Sequence, residues 1–255
     1  MKLPRWLTAI PTVLVIAFMH LPLVIIVLYS FSASAVQSWP IKGWTLDWYR
    51  QALQDDRLRA GLMNSLKVAA GATFTATILG TLGAYAVQRY RFLGRSTFRA
   101  AVVVPLLLPG IITGVAMLTF FATANIPLGL LTVIIGHATF GFPVIFNTVA
   151  ARLARLPRSL EEAAADLGAN PLQAFWRVGL PSIRSALMAG GLLAFTLSFD
   201  EIIVTIFLTG NQNTLPMEIW ARLRFGLTPE INAAVTIILL VSGLLVVLSQ
   251  RLTRE

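Results

Sequence analysis

The 255-residue chain is 56% hydrophobic and charged at only 12% of its positions, whereas an ordinary soluble domain carries about 25% charged residues. This composition predicts an all-α membrane protein that uses the lipid bilayer as its solvent, and the absence of cysteine excludes disulfide scaffolds and thiolate metal sites. The net charge of +9 does not indicate nucleic-acid binding, because the arginines flank apolar segments and no aromatic-basic binding module interrupts those segments.

Six apolar segments are each long enough to cross a bilayer, which takes about 20 residues. Six spans place both termini on one side, and Lys and Arg accumulate in cytoplasmic loops. Most of the 20 basic residues fall on the side of the termini, which we therefore expect to be cytoplasmic. The six segments lie near residues 8–31, 63–88, 100–123, 130–151, 186–209 and 231–250.

The N-terminal segment could be read as a secretory signal, because Lys2 and Arg5 precede an apolar run that ends at small residues. Residues 6–31 are apolar almost throughout, however, whereas the apolar core of a cleavable signal has about 7 to 15 residues. We therefore expect an uncleaved first span. Aromatic residues in the outward segment that follows favour either anchoring at the lipid headgroups or contact with an external protein: Trp39, Trp44, Trp48 and Tyr49.

The third segment contains residues that interrupt a lipid-embedded helix. Pro105, Pro109 and Gly110 free backbone groups that only neighbouring helices or water can satisfy, so we expect this span to lie inside the assembly. Gly110 and Gly114 also have the spacing of small residues at close helix contacts. Close packing and a role in gating both explain this pair.

A water-facing segment at residues 153–185 lies between the fourth and fifth apolar segments, and it predicts two short helices. Ser159 and Glu162 have the spacing of a capping box at the start of the first helix. Gly168 supplies a C-terminal stop for that helix.

The second short helix is predicted directly after the first. Asn170 with Gln173 repeats the capping pattern, and Pro171 suits the first helical position. Gly179 and Pro181 are expected to close the helix. Isolated helices of fewer than about 12 to 15 residues are marginal in water, so the apolar face of this pair indicates a protein contact.

Two acidic residues lie inside the fifth apolar segment, where a charged side chain is costly unless it is paired or hydrated. Adjacent helical residues point about 100° apart, so one of Asp200 and Glu201 is expected to face a translocation path while the other meets a partner group. The alternative is an interfacial acid that pairs with Arg222 or Arg224. Further candidates for the translocation path are Phe195, Thr196 and Phe199, which lie near these acids, and Trp220 in the following outward loop. Anchoring at the lipid headgroups is an alternative explanation of Trp220.

The remaining polar residues have structural explanations, and catalytic signatures are missing. Thr228, Pro229 and Glu230 predict the start of the sixth helical span. His20 and His137 lie in apolar segments outside any metalloprotease motif, and we expect His137 to be a hydrogen-bonded packing residue. The chain also has no nucleophile elbow and no GxxxxGK[ST] phosphate loop, so we expect a protein that is not an enzyme and binds no metal or cofactor itself.

The water-facing segment carries the pattern EAA, three residues, G, nine residues, a branched residue, any residue and LP, with Val178 at the branched position. The chain thereby resembles the permease subunits of ATP-binding-cassette importers. This resemblance implies a type I importer fold of six transmembrane helices, a single domain over residues 1–255 and a multi-pass place in the bacterial inner membrane. It also implies that residues of the pattern and beside it couple to an ATPase: Glu161, Glu162, Ala163, Ala164, Gly168, Pro171, Leu180 and Pro181.

The resemblance further implies the partners of the chain. They are a dimer of cytoplasmic ATPases that holds ATP and Mg²⁺, a second homologous permease subunit and an external solute-binding protein, all at the lipid bilayer. Closure of the ATPase dimer on ATP would rotate the two permeases about their interface and give alternating access. A secondary transporter or channel would use the same six spans without an ATPase, but it leaves the water-facing helices without a purpose.

Residues 64–69, 193–210 and 214–233 resemble the C-type permease subunits of spermidine/putrescine importers. This resemblance implies a polyamine cargo, and the acids of the fifth segment suit a cation. Related permeases with the same C-terminal signature carry opines, aminobutyrate-like compounds or aminoethylphosphonate, which are therefore the alternative cargoes.

A scaffold or membrane-insertion factor would also use a docking loop, but it would not require acids inside a span.

Overall fold

The computed structural model describes the backbone of residues 5–226 and 228–252, and the side chains of residues 9–226 and 228–240. These residues form helices joined by short connections, with one isolated β-bridge between Ser32 and Trp44. The helices are α1 Arg5–Tyr29, α2 Asp47–Gln54, α3 Asp56–Arg89, α4 Arg95–Leu107, α5 Gly110–Thr123, α6 Leu130–Arg155, α7 Ser159–Asp166, α8 Pro171–Ala174, α9 Leu180–Asp200, α10 Ile203–Leu208, α11 Leu215–Leu223 and α12 Pro229–Leu252.

Several of these helices are long and apolar enough to cross a membrane. Within the described residues the four that qualify alone are Ala9–Tyr29, Asp56–Arg89, Leu130–Ala154 and Pro171–Asp200, and α4 with α5 makes a fifth if that bent pair is one span. The sixth predicted segment, 231–250, lies in α12, and its residues from 241 onward fall outside the described side chains.

The third predicted span is not one straight helix. It divides at Leu108 and Pro109 into α4 and α5, whose axes differ by 105°. Proline 109 cannot donate a backbone hydrogen bond, and Leu108 before it adopts an extended conformation (φ −80°, ψ 137°), which ends α4. The sequence predicted an interruption within the segment 100–123, and the break at Leu108 and Pro109 confirms it.

The glycines of α5 serve close packing. A Cβ on Gly114 would overlap Cδ2 of Phe207, and a Cβ on Gly110 would lie 3.3 Å from Cγ2 of Ile203. Both partners belong to α10, so the small residues let α5 and α10 approach each other. Close packing, one of the two predicted explanations of this glycine pair, is therefore confirmed.

The chain divides into two compact units. One contains the residues up to Arg59 together with those from Glu218 onward, and the other contains Ala60–Met217. In the second unit α6 packs along α9, and its main core includes Ala76, Val149, Ile183 and two fully buried residues of α6, Ile145 and Phe146. The prediction that residues 1–255 form a single domain stays a prediction.

In the first unit α12 packs on α1 and α2, and Arg222 connects three carboxylates. Its Nη2 donates to both oxygens of Asp55 at 2.9 Å, while Nε and Nη1 reach Glu218 at 3.4 Å and Glu230 at 3.1 Å. The predicted start of α12 is confirmed, because Pro229 is its first residue and Thr228 Oγ1 accepts the N–H of Ile231 at 3.4 Å. Glu230 therefore pairs with Arg222 in addition to its place in the first turn.

Candidate functional site

The first helix of the predicted loop is α7, and its end follows from Gly168. This glycine has φ +85°, a left-handed conformation that glycine adopts without strain. The N–H of Gly168 bonds to the carbonyl of Ala165, and the N–H of Ala169 bonds to the carbonyl of Ala164, both at 2.9 Å. This pair of bonds is a Schellman motif, so the predicted C-terminal stop is confirmed.

The predicted capping box of α7 was wrong. Arg158 already has helical backbone angles (φ −64°, ψ −26°), and its carbonyl accepts the N–H groups of Glu161 and Glu162. Ser159 is therefore the first residue of the helix, and no side chain caps the start of α7. A serine that is already helical cannot offer its hydroxyl to the third residue after it.

The start of α8 is as predicted. Asn170 Oδ1 accepts the N–H of Gln173 at 2.9 Å, and Gln173 Oε1 accepts the N–H of Asn170 at 3.0 Å. Pro171 takes the first helical position, where its missing N–H costs nothing. The second capping box is thereby confirmed.

The predicted closure of this helix at Gly179 and Pro181 was wrong. After Ala174 the chain continues through a π-helical turn at Phe175–Gly179 and then directly into α9. The N–H of Leu180 bonds to the carbonyl of Phe175, so the register shifts by one residue just before Pro181, which cannot donate. Pro181 then lies in the first turn of α9, where a proline is tolerated.

The inner side of this loop is held by the end of α3. Arg89 Nε donates to Glu161 Oε1 at 2.9 Å, and the Tyr85 hydroxyl donates to Glu161 Oε2 at 3.2 Å. The side chains of Arg89 and Glu161 are only 9% and 19% exposed, so water screens this ion pair less than a surface pair. Arg158 Nη2 also donates to the carbonyl of Gln88 at 2.9 Å. The loop is thus fixed to α3 by its own charged residues.

The outer side of the loop exposes large apolar side chains. Leu167 is 90% exposed and Leu172 is 67% exposed, and Leu160 and Trp176 are also exposed. Clustered exposed side chains of this size indicate a surface that another protein covers. Glu162 is exposed and lines a cavity of about 300 Å³ between the loop and the end of α3, with Tyr85, Arg89, Tyr90, Arg158, Glu161, Ala165, Ala169, Pro171 and Ala174.

The remaining pattern residues have local roles in the loop and at the start of α9. Ala163 is exposed, and Ala164 is half-buried and supplies a carbonyl of the Schellman motif. Leu180 packs against the core of the second unit, while Pro181 is exposed.

The fifth predicted span, 186–209, is interrupted at its two acids. α9 ends at Asp200, Glu201 is extended (φ −72°, ψ 120°), and α10 begins at Ile203. The Glu201 carboxylate accepts the N–H of Val204 at 3.0 Å, and its carbonyl accepts the Thr205 hydroxyl at 2.8 Å. Glu201 therefore satisfies the backbone at the break, and the prediction of a continuous helix here was wrong.

Asp200 differs from its neighbour. It is exposed, and among the described residues it has no hydrogen bond or ion pair. It also stands at the C-terminal end of α9, where the helix dipole disfavours a negative charge. Asp200 is thus the acid of this pair whose carboxylate is not used by the backbone at the break.

Two aromatic rings precede Asp200 on α9. Phe195 and Phe199 stack with their ring centroids 6.2 Å apart, and the Thr196 hydroxyl bonds to the carbonyl of Leu192. Phe195, Thr196, Phe199 and Asp200 thus share the last two turns of one helix. Trp220 is 43% exposed on α11 and belongs to the other compact unit.

His137 has partners on both sides of the break. Its ring is fully buried, with Nδ1 2.8 Å from Ser198 Oγ and Nε2 2.9 Å from Thr205 Oγ1. The prediction of a hydrogen-bonded packing residue is confirmed. Within the described residues no group of His, Cys, Asp and Glu side chains could hold a metal ion.

Residues 76–254 match the family model for the inner membrane component of binding-protein-dependent transport systems. This match covers most of the chain. The chain belongs to this family of permeases.

Relatives agree with the family match over nearly the whole length. The permease is 39% identical to the putrescine transport system permease protein PotI of Escherichia coli K12, over 87% of this chain and 82% of that protein. It is 35% identical to the spermidine/putrescine transport system permease protein PotC of Haemophilus influenzae, over 94% of each chain, and 34% identical to PotC of Escherichia coli K12, over 94% of this chain and 90% of that protein.

Solved structures share the fold. A chain of a bacterial ABC transporter that imports the acidic polysaccharide alginate superposes over 99% of both chains with a TM-score of 0.73 at 19% identity. A chain of the inward-facing MetNI methionine ABC transporter superposes over 77% of the permease and 94% of that chain with a TM-score of 0.64, also at 19% identity. The predicted type I importer permease fold is confirmed, and the chain is a permease subunit of an ATP-driven importer.

Sequence reasoning missed the partners of two arginines. Arg89 holds Glu161 across 72 positions, and Arg222 holds Asp55 across 167 positions. Arg222 was considered only as a partner for the acids of the fifth span. The available signal was the position of Arg89 in the last turn of an apolar helix, which marks it as a residue at the edge of the membrane.

Proposed function

We propose that this permease imports polyamines and that Asp200 binds their ammonium groups on the way. The polyamine cargo is supported by the similarity to putrescine and spermidine/putrescine permeases over nearly the full length of each chain. The unpaired carboxylate at the end of α9 supports it, because a protonated amine supplies the partner that Asp200 lacks. The stacked rings of Phe195 and Phe199 would add cation–π attraction.

The loop from α7 to the π-helical turn is the proposed contact with the ATPase. Its exposed leucines and Trp176 indicate that another protein binds to its outer side, because its inner side is already fixed to α3. A partner that pushes on the outer side would therefore move α3 and α9 with the loop. The residues proposed to transmit this movement are Glu161, Glu162, Ala163, Ala164, Gly168, Pro171, Leu180 and Pro181.

The proposed assembly contains this permease, a second homologous permease, a dimer of cytoplasmic ATPases and an external solute-binding protein. ATP and Mg²⁺ bind to the ATPases, and the permease itself hydrolyses no ATP and holds no cofactor. Both termini lie in the cytoplasm, on the side to which most of the basic residues and the α7–α8 loop belong. Closure of the ATPases on ATP opens the path toward the loaded binding protein, and hydrolysis resets it.

The test is uptake by the complete complex in proteoliposomes. We expect uptake of radiolabelled putrescine or spermidine that requires ATP inside the vesicle and loaded binding protein outside. Asp200→Asn should reduce uptake at least about ten-fold, because a charged hydrogen bond to the cargo is lost, while the ATPase still copurifies. Thr123→Val on α5, which loses only a hydroxyl bonded inside its own helix, is the matched control. Uptake of zwitterionic solutes but not of polyamines would refute the proposal that the cargo is a polyamine.

A further inference from the structure

His137 joins the two helices that the break in the fifth span separates. Ser198 lies before the break on α9, and Thr205 lies after it on α10. All three side chains are buried, and the imidazole ring bonds to both hydroxyls.

The hydrogen-bond pattern fixes the role of each ring nitrogen. Thr205 has one hydroxyl hydrogen, which it donates to the carbonyl of Glu201 at 2.8 Å. Thr205 Oγ1 must therefore accept from Nε2–H of His137. In the neutral ring Nδ1 is then an acceptor, and the Ser198 hydroxyl donates to it. A continuous chain of bonds thus runs from Ser198 through His137 and Thr205 to the backbone of Glu201.

α10 is also fixed to α6 at its other end. Thr132 Oγ1 lies 2.8 Å from the carbonyl of Leu208, and the N–H of Gly129 donates to the same carbonyl at 3.1 Å. α10 is therefore held at its start through His137 and at its end through the N–H of Gly129, with the Thr132 hydroxyl shared between the carbonyls of Gly129 and Leu208. The bond from His137 to Ser198 ties the end of α9, two residues before Asp200, to this fixed segment.

We propose that His137 is a positioning residue that sets the direction of Asp200. This inference rests on the proposed function, since it assigns His137 a part in presenting Asp200 to the cargo. The ring holds the last turn of α9 at a defined angle to α10, so the backbone that carries Asp200 keeps one orientation. Without the ring, the link between α9 and α10, in which Glu201 is extended, would let the end of α9 rotate and take Asp200 away from the path.

The absence of cysteine provides the test, because a thiol introduced at position 200 is the only thiol of this chain. The Asp200→Cys permease is assembled with its partners, and the rate of its labelling by a cationic methanethiosulfonate is measured. We expect His137→Leu to lower this rate about thirty-fold, which corresponds to the loss of two hydrogen bonds of ordinary net strength. Labelling of other subunits is separated by size.

Two further variants keep the test independent of misfolding. Thr205→Val removes the bond on the α10 side but leaves the bond between His137 and Ser198, and it should shift the rate in the same direction. His137→Gln, whose amide both donates and accepts, should restore part of the original rate. Thr119→Val is the matched control, because the exposed Thr119 hydroxyl bonds only to Val115 of its own helix, and it should leave the rate unchanged.

The outcomes separate the two proposals. Equal labelling in the original, His137→Leu and Thr205→Val backgrounds would refute the positioning role and leave Asp200 in the path. No labelling of Asp200→Cys in any background would refute the place of Asp200 in a water-filled path, and the positioning role with it. A shifted rate in both variants, with partial restoration by His137→Gln, would support the positioning role.

Discussion

At the scale of single residues, the Arg89–Glu161 pair decides how the exposed loop is held. Glu161 accepts from both Arg89 and Tyr85, and little of the ion pair is exposed to water. Removing one partner leaves the other charge partly buried without compensation, which is more costly than breaking a surface pair. The adjacent Glu162 is exposed and lines the cavity.

We predict that Glu161→Gln loosens α7 from α3 by about 1 to 3 kcal/mol, because it weakens a charge-assisted hydrogen bond in a shielded position. The measurement is hydrogen exchange of the α7 amides, which reports the free energy of local opening. Glu162→Gln changes the same charge on the exposed side and should leave the exchange unchanged. Equal effects of the two variants would show that the Arg89 pair does not hold the loop.

A second residue-scale prediction concerns pH and Asp55. Burial disfavours its charged form, but the N–H of Leu58 and the Arg222 guanidinium outweigh burial and hold the pKa of the Asp55 carboxyl below its ordinary value. A carboxyl with a lowered pKa stabilises the folded state above its unfolded pKa of about 3.9, and this stabilisation is lost as the pH falls through the folded pKa.

Asp55→Asn should therefore lower the melting temperature at pH 7, and its difference from the original protein should shrink at pH values below about 4. Thermal unfolding in detergent across this pH range measures both effects. The control is Asp56→Asn, since the Asp56 side chain is 95% exposed in its pair with Arg59 and should contribute little at any pH. A pH-independent difference for Asp55→Asn would contradict the predicted linkage.

At the scale of elements, the turn after α7 can be separated from general stability by a matched glycine. Gly168 and Gly94 have nearly the same left-handed angle, φ +85° and φ +83°, and an added Cβ would meet nothing within 4 Å at either position. Alanine therefore costs only backbone strain at both, about 1 to 2 kcal/mol. Gly168 ends α7 in the proposed coupling loop, while Gly94 precedes α4.

We predict that Gly168→Ala lowers the number of cargo molecules imported per ATP hydrolysed, because the strained turn displaces the surface that meets the ATPase. Gly94→Ala should cost similar stability and keep this ratio. Uptake and ATP hydrolysis measured together in proteoliposomes give the ratio for each variant. If both variants lower it equally, the effect is one of stability and the turn has no special part in coupling.

The elements that the sequence predicted correctly depend on neighbouring residues. Asn170 and Gln173 cap α8 over three positions, and the conformational freedom of Gly168 ends α7. Predictions failed where the backbone groups at a helix end found hydrogen-bond partners other than the predicted ones. The π-helical turn shifts the hydrogen-bond register just before Pro181, which has no N–H to donate. Arg158 is already helical, so Ser159 lies inside the helix and cannot act as its cap.

The sites were harder to predict than the elements, because they depend on distant residues. The sequence shows that Asp200 and Glu201 are acids inside an apolar segment, but it does not show that they have different roles. Only the fold shows that Glu201 is used by Val204 and Thr205, whereas Asp200 is exposed. The pairing of Arg89 with Glu161 likewise requires α3 and α7 to be adjacent, which no local pattern encodes.

At the scale of the whole molecule, the position of the apolar surface outside the spans matters most. Leu160 and Leu167 lie in the short polar connection between the membrane-length helices Leu130–Ala154 and Pro171–Asp200, so lipid does not account for their exposure. The family match and the shared fold describe an importer subunit, and such a subunit needs a site where ATP hydrolysis is transmitted. The exposed outer side of the α7–α8 loop is the described surface that best fits this need.

The most direct test is disulfide cross-linking from the tip of the loop. Leu172→Cys introduces the only thiol of the chain, and it is assembled with ATPase variants that carry single cysteines along the surface that faces the membrane. The account predicts a cross-link to the ATPase whose yield changes when ATP is bound, and no cross-link from Ile111→Cys, an exposed position on α5. A complex that imports its cargo with ATP while Leu172→Cys cross-links to no ATPase would contradict the account.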